Sequence, residues 1–460
     1  MSFASHIFRE YDIRGIVGQD LDAQVAEAVG RAYGARAVAA VEGKPRIVVG
    51  RDNRPSSDGL TLGLMRGLNE AGVDVVDIGT VPTPMVWWAE KILKLDGGVM
   101  VTGSHNPPEW NGIKMTLAGG SVFGQAIQEM KAAIFADDIP AVPVAMQGGV
   151  EARDIYPEYT ADVSGRFKLA RPVKVVVDCG NGSGALVAVD LLTRVGAEVI
   201  PLFCDSDGTF PNHHPDPTVD EYLVDMIAKV KETGADLGIA FDGDADRIGA
   251  VDENGSVVRG DLILLLFGLD LISRKGPGQK LVFDVKCSQA LPEVFEAAGG
   301  IPIMWATGHS LMKQKMKIEN APMAGELSGH ICVGGDDYLG FDDALYDAAY
   351  LIDIVSRSER PLSAMVADFP AYVSTPELRI EVPEEDKFNL IEKALSHFRD
   401  RYDVIDVDGA RILFENGWGL LRASNTQPVL VARFEARTAE QRDQYRAEVE
   451  GWLTENGVMV

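Results

Sequence analysis

The chain has 460 residues, with 43 Lys and Arg against 69 Asp and Glu, a formal net charge of −26. So acidic a balance excludes a general nucleic-acid binder or a peripheral protein of anionic membranes, because both need a cationic surface. Hydrophobic residues at 46% and charged residues at 24% are ordinary for a globular chain, which removes disordered and fibrous classes, and the length alone predicts about three domains. Cys179, Cys204, Cys287 and Cys332 are far apart in sequence with no C-x-x-C pair, so neither a disulfide framework nor structural zinc is expected. The N-terminus lacks a basic start followed by an apolar run, and Leu262–Ile272 is too short to span a membrane. The expected compartment is the cytoplasm.

In chain order, one unit recurs three times. A basic residue opens a short β-branched run at Arg46-Ile-Val-Val-Gly-Arg-Asp, at Lys174-Val-Val-Val-Asp-Cys-Gly and at Lys280-Leu-Val-Phe-Asp-Val-Lys. Each run predicts a buried parallel strand, followed by a helix ending near glycine and a second strand. A third apolar stretch then enters a polar loop. These loops are Thr102-Gly-Ser-His-Asn-Pro-Pro, Asp242-Gly-Asp-Ala-Asp-Arg and Gly325-Glu-Leu-Ser-Gly-His. Ligands bind beyond the carboxyl ends of strands in open α/β sheets, so the three loops are candidates to serve one cleft. From about residue 370 the pattern changes: an alternating strand at Leu378–Val382, a helix to about Phe398, strands near Val404, Ile412 and Val429, and a helix over 439–454. This predicts a smaller α+β unit on an antiparallel sheet. The expected fold class is α/β with four domains: three related α/β units with mixed sheets over 1–148, 149–254 and 255–366, and a C-terminal α+β domain over 367–460.

The loops carry four chemistries. Ser104 on its glycine-led turn, beside His105 and Asn106, has no G-x-S-x-G context, which favours phosphoryl transfer over acyl transfer; the plain alternative is a Ser/Asn turn. Asp242, Asp244 and Asp246 alternate directly after a strand, and three such charges call for a hard cation. An EF-hand is disfavoured because Arg247 stands at the sixth position, where that loop needs glycine. Few carboxylates with room for a phosphate oxygen suit Mg²⁺ better than Ca²⁺. Glu326 and Ser328, two residues apart, would share a side of an extended segment and could grip neighbouring sugar hydroxyls, with a capped turn as the plain alternative. Arg422-Ala-Ser424-Asn425-Thr426-Gln427-Pro offers a guanidinium with hydroxyl and amide groups on a short loop, suited to a dianionic phosphate or simply a polar hairpin. Gly180-Asn-Gly182-Ser-Gly184 is one residue short of a dinucleotide fingerprint and reads as a tight turn.

Taken together and in this order, the four loops closely resemble the α-D-phosphohexomutase superfamily, and within it the bacterial phosphomannomutase/phosphoglucomutase group. The resemblance implies four domains around a central cleft, Ser104 as phosphoryl carrier, and Mg²⁺ held by Asp242, Asp244 and Asp246 against the phosphoserine. It further implies that Arg247, His105 and Lys114 assist the transfer. Tyr11, Arg14, Lys286, Gly308, His309, Glu326, Ser328, His330, Arg422, Ser424, Asn425 and Thr426 would contact substrate. Lys286 and Arg14 read equally as surface charges on strand ends. The implied reaction interconverts hexose 1- and 6-phosphates of mannose or glucose through a hexose 1,6-bisphosphate, with glucose or mannose 1,6-bisphosphate as activator. The implied protein is a cytoplasmic monomer or homodimer. The alternatives are a phosphoglucosamine mutase and a non-catalytic phosphosugar- or Ca²⁺-binding protein.

Overall fold

The computed structural model describes residues 4–139, 142–424 and 428–459. The chain divides into two compact units, one of 1–263 with 328–364, the other of 264–327 with 365–460. Within the first unit, strands β1 (Ile13–Ile16), β2 (Arg46–Arg51), β3 (Asp74–Thr80), β4 (Gly97–Val101), β5 (Trp110–Leu117), β6 (Gly120–Ser121) and β7 (Val150–Ala152) form one sheet. Its order is β1-β5-β4-β2-β3-β7, with β6 paired to β5. A second sheet has the order β12-β11-β10-β8-β9, built from β8 (Lys174–Asp178), β9 (Glu198–Leu202), β10 (Leu237–Phe241), β11 (Ile248–Asp252) and β12 (Val257–Val258).

In the second unit β13 (Lys280–Asp284) lies between β14 (Ile301–Trp305) and β15 (Met323–Gly325), both parallel to it. The triplication is therefore structural. In every copy the first strand is flanked by the second on one side and the third on the other, all parallel. The central strands are buried on both faces because their runs, Ile47-Val48-Val49, Val175-Val176-Val177 and Leu281-Val282-Phe283, present no polar side chain to either. The antiparallel return strands β5 and β11 bring the residues after each polar loop back beside the strand that led into it.

Strand β16 (Ile331–Val333) belongs to the first unit, and the C-terminal part of the second unit is a six-stranded antiparallel sheet. It comprises β17 (Val373–Ser374), β18 (Leu378–Glu381), β19 (Asp403–Ile405), β20 (Ala410–Phe414), β21 (Gly417–Ala423) and β22 (Val429–Ala436), with helices Lys387–Arg399 and Ala439–Glu455. Phe398, Ile412, Leu421, Phe434 and Leu453 form its core. The expected place of Arg422 is corrected here. It sits within strand β21, one residue before its end, rather than on the loop, because the run Trp418-Gly-Leu-Leu-Arg pairs along its length with β22, and most of it also with β20.

Candidate functional site

Ser104 is 2% exposed and adopts φ 50°, a left-handed conformation that a non-glycine residue holds only when its surroundings enforce it. Its N–H donates to Thr102 Oγ1 at 2.8 Å, and its carbonyl accepts from Arg54 Nη2 at 2.7 Å. Arg54 is the centre of this loop. Its guanidinium also donates to the carbonyls of Asn106 (2.6 Å), Pro107 (2.5 Å) and Trp110 (3.0 Å), so that the backbone from 104 to 110 wraps around one cation. Asp52 neutralises it at 3.1 Å and takes the Gly103 N–H at 3.0 Å. Glycine is required at 103, since a Cβ there would lie 2.5 Å from Arg54 Cζ.

The Ser104 hydroxyl lies 3.1 Å from Asp242 Oδ2 and 3.1 Å from His105 Nδ1. Burial, then the charges of Arg247, Arg14, Lys114 and His330, hold His105 well below the usual imidazole range, so it is neutral at pH 7. The acidic loop reaches Ser104 because residue 243 has no side chain: a Cβ at Gly243 would stand 2.4 Å from the Ser104 carbonyl oxygen.

Asp242, Asp244 and Asp246 are all buried, with one oxygen of each inside a common 4.8 Å set. Asp242 Oδ1 accepts the N–H groups of Asp246 and Arg247, both at 3.1 Å, which curls the loop around it. Asp244 accepts from Thr83 Oγ1 at 2.5 Å, and Lys114 Nζ bridges Asp244 at 2.8 Å and Asp246 at 2.5 Å. The directions of titration follow from this wiring. Burial with the charges of Asp246 and Asp244 pushes Asp242 far up, whereas at Asp244 the burial effect is outweighed by Lys114 and the carboxyl falls below its usual range. Burial would lower Lys114, but the three carboxylates more than compensate and hold it protonated. The Lys114 ammonium and the Arg247 guanidinium, 3.9 Å from Asp242, still leave three carboxylates one cation short, and the buried Asp244 Oδ1 accepts no hydrogen bond. Oxygen-only donors with an unsatisfied buried oxygen fit a hard divalent cation.

His330 Nε2 accepts from Arg247 Nε at 2.9 Å, and its Nδ1 lies 3.1 Å from Asp342 Oδ2 and 3.5 Å from Asp246 Oδ1. Arg14, on β1, donates from Nη1 to Asn106 Oδ1 at 2.9 Å and pairs with Asp12. It is a braced side chain, not a loose surface charge. Tyr11 is half-buried just ahead of β1. Ser328 is half-buried in a turn beginning at Leu327, so the segment is not the extended one expected for Glu326 and Ser328. Gly329, at φ 92° with Ile248 O only 2.2 Å from where its Cβ would be, needs that bend.

The second unit gathers the remaining candidates. Glu326 Oε1 accepts the Gly308 N–H at 2.6 Å, and Gly308, at φ 135°, precedes the helix His309–Glu319. His309 Nδ1 is 3.2 Å from Lys313 Nζ. Lys286 is buried, correcting its surface reading, and donates to Glu377 Oε2 at 2.9 Å. Burial lowers it, yet Glu377, Asp284 and Glu326 raise it further, so it stays charged. Arg422 Nε donates to Asp408 Oδ2 at 2.9 Å, and the same oxygen takes the Thr307 N–H at 3.0 Å. The Ser424 N–H donates to Val429 O at 3.0 Å, while Asn425, Thr426 and Gln427 lie outside the described residues.

Sequence reasoning missed Arg54, Asp52, Thr83, Glu377 and Arg411. The last donates to the carbonyls of Val285 and Cys287, on either side of Lys286, and stacks 3.8 Å from the Trp418 ring. A signal existed for the first two. Asp52 and Arg54 follow the carboxyl end of β2, the edge on which the other loops lie. Asp342 and Glu377 sit in segments with no motif to mark them.

Comparison with known proteins identifies the family of the whole chain. Four family models match: phosphoglucomutase/phosphomannomutase alpha/beta/alpha domains I, II and III over residues 5–139, 157–255 and 259–372, and the C-terminal domain over 377–451. A phosphomannomutase/phosphoglucomutase of Pseudomonas putida is 48% identical over 432 residues, covering 94% of this chain and 91% of that one. A phosphoglucomutase of Neisseria meningitidis serogroup A is 44% identical over 456 residues, 98% of each chain. The crystal structure of a phosphoglucomutase/phosphomannomutase family protein from Burkholderia thailandensis superposes with a TM-score of 0.91 at 41% identity, covering 98% of both chains. No helix among the described residues is long and apolar enough to cross a membrane. With nearly its whole length matched in this way, the chain belongs to the phosphoglucomutase/phosphomannomutase family of α-D-phosphohexomutases and is an isomerase.

Proposed function

We propose that Ser104 carries a phosphoryl group that is exchanged with the 1- or 6-hydroxyl of mannose or glucose monophosphates, and that the chain divides functionally into domains 1–148, 149–254, 255–366 and 367–460. The observation that carries this is the Ser104 hydroxyl 3.1 Å from Asp242, the first of three clustered buried carboxylates. A serine surrounded by carboxylates is a poor nucleophile for acyl groups and a suitable phosphoryl carrier once cations balance the charge. Asp242, Asp244 and Asp246 would hold Mg²⁺, which supplies charge neutralisation for the transferring phosphate when bound. The chain's own cations complete that balance. Lys114 remains protonated, Arg247 is oriented by His330, and neutral His105 accepts from the returning Ser104 hydroxyl.

Transfer breaks the Oγ–P bond of phosphorylated Ser104 and forms an O–P bond to the sugar, while the proton of the sugar hydroxyl is passed to the departing Ser104 oxygen, giving a hexose 1,6-bisphosphate and a free Ser104 hydroxyl. The bisphosphate reorients, and its other phosphate returns to Ser104. Glu326 and Ser328 take sugar hydroxyls, and Arg422 with Ser424, Asn425 and Thr426 takes the phosphate that is not reacting. Tyr11, Arg14, Lys286, Gly308, His309 and His330 complete the contacts. Free hexose 1,6-bisphosphate, of glucose or mannose, would recharge an enzyme that has lost its phosphoryl group. Discrimination between epimers needs a contact to the differing group; hydroxyl contacts limited to Glu326 and Ser328 leave glucose and mannose equivalent.

Intact-mass spectrometry tests this reading. A fraction of the protein should carry one phosphate, Ser104→Ala should abolish it, and mannose 1- and 6-phosphates should interconvert. A chain that stays unphosphorylated after incubation with glucose 1,6-bisphosphate and turns over neither sugar would overturn it. Faster turnover of glucosamine 6-phosphate than of mannose 1-phosphate would transfer it to the amino-sugar mutases.

A further inference from the structure

The sequence separates the cysteines, but the fold brings two of them together. Cys179 follows β8 and Cys204 follows the adjacent parallel strand β9, and their sulfur atoms are 3.3 Å apart. Cys179 is fully buried, whereas Cys204 is half-buried at the start of an exposed loop. The backbone here is held in unusual conformations, with Phe203 at φ 48°, Gly180 at φ 48° and Asn181 at φ 60°. The Asn181 N–H donates across to Phe203 O at 2.8 Å, locking the two strand ends against each other.

Both segments that leave this pair run to the site. From Cys179, Ser183 donates its N–H (2.9 Å) and hydroxyl (3.1 Å) to the Gly243 carbonyl in the acidic loop. From Cys204, Ser206 Oγ accepts from Asn53, next to Arg54, at 2.9 Å, and the same amide donates to Asn181 O on the Cys179 side at 2.7 Å. Further along, the Phe210 ring lies 4.9 Å from the Arg54 guanidinium. The two thiols therefore stand at the root of supports for both the Ser104 loop and the Asp242 loop.

We propose that Cys179 and Cys204 form a redox-active dithiol, oxidised by a peroxide to an intramolecular disulfide that reversibly lowers turnover. The Cys204 sulfur, the more accessible, attacks one peroxide oxygen. The O–O bond breaks, one water leaves and Cys204 becomes a sulfenic acid. The Cys179 sulfur then attacks that sulfur, the S–S bond forms, the S–O bond breaks, and the Cys179 proton leaves with the hydroxyl as a second water. Two thiols lose two electrons, which one hydrogen peroxide accepts. The proton wiring favours this order. The hydrogen-bonded contact with Cys179 sets Cys204 below the ordinary thiol range, and the same contact, with burial, pushes Cys179 up. Closing the sulfurs from 3.3 Å to the bonded distance of about 2.05 Å demands more than an ångström of movement, shared between the two side chains and the strand ends that carry them. Displacements of about 1 Å in the supports of a catalytic site cost on the order of 100-fold in rate.

The experiment uses the full-length enzyme treated with hydrogen peroxide, then with dithiothreitol. Trypsin separates the thiols into peptides 175–194 and 195–229, so a non-reducing digest reports the cross-link independently of any activity. The expected result is a 175–194/195–229 cross-link that appears with the same rate constant as a loss of at least tenfold in mutase turnover. Both should reverse with dithiothreitol and both should be absent in Cys204→Ser and Cys204→Ala. No cross-link, a cross-link that also recruits Cys287 or Cys332, or a cross-link that leaves turnover unchanged would overturn the proposal. The turnover arm rests on the proposed mutase activity, whereas the peptide arm does not, so the two failures are told apart.

Discussion

Arg54 holds Ser104 by its backbone rather than by its hydroxyl: Nη2 meets the Ser104 carbonyl at 2.7 Å while the rest of the guanidinium ties down Asn106, Pro107 and Trp110. The left-handed φ of Ser104 persists because this fully buried cation leaves the loop no other path. Replacing Arg54 with Met removes those bonds and strands the buried Asp52 carboxylate, a loss of about 3–5 kcal/mol for a broken buried pair. Urea unfolding should show that loss, with turnover falling along with it. A variant that unfolds at the wild-type midpoint would remove Arg54 as the support of the loop.

Gly243 is a sharper probe because it carries no chemistry. Gly243→Ala drives a methyl to within 2.4 Å of the Ser104 carbonyl oxygen, so the acidic loop must retreat from Ser104. The expected outcome is a fall in kcat of at least about tenfold with KM little changed, since misplacement acts on the transfer step. Unchanged kcat would mean that the two loops need not approach each other.

Metal binding should also be visible as stability. A cation that binds the folded cluster and not the unfolded chain stabilises by mass action. Adding Mg²⁺ should raise Tm in the wild type and restore turnover after chelation. Asp242→Asn should abolish both responses while remaining folded. A Tm indifferent to Mg²⁺ in the wild type would argue against the cluster as the metal site.

Acid sensitivity should trace partly to Glu377. The neighbouring Lys286 charge holds its carboxyl at about 2, against an ordinary value of 4.5. A depressed acid contributes stability that is fully present above pH 4.5 and is lost as pH falls from there toward 2. With 30% of the side chain open to water, the contribution is about 2 kcal/mol. The stability gap between wild type and Glu377→Gln should hold from pH 7 to 5 and narrow by pH 3.5. A gap independent of pH would remove the ion pair as its source.

Much of this was legible in the chain because repeats and loops announce themselves. Val175-Val-Val reads as a buried strand and Asp242-Gly-Asp-Ala-Asp as a cluster of carboxylates directly after one, and the strand order follows from β-α-β units. What escaped was support. Arg54 looks like any surface arginine until the 104–110 backbone closes over it, and Lys286 looked exposed until Glu377, 91 positions away, paired with it. The turn at Leu327 defeated the alternation argument for Glu326 and Ser328, because alternation holds only while a segment stays extended. Likewise, the separation of Cys179 and Cys204 in sequence gave no hint that two adjacent parallel strands end side by side.

The shared strand order of the three α/β sheets has a consequence for change over time. Each polar loop leaves the same place in an equivalent frame, the end of the strand beside the central one, and the frame's own stability comes from the apolar runs behind it. On the proposed roles, a substitution at Glu326 therefore leaves the buried runs that present Ser104 and Asp242 untouched. Gly329 and His330 are different: one packs on Ile248 O and the other takes the Arg247 Nε–H, so the third copy's loop is tied to the second copy's at those two positions and free of it only before them.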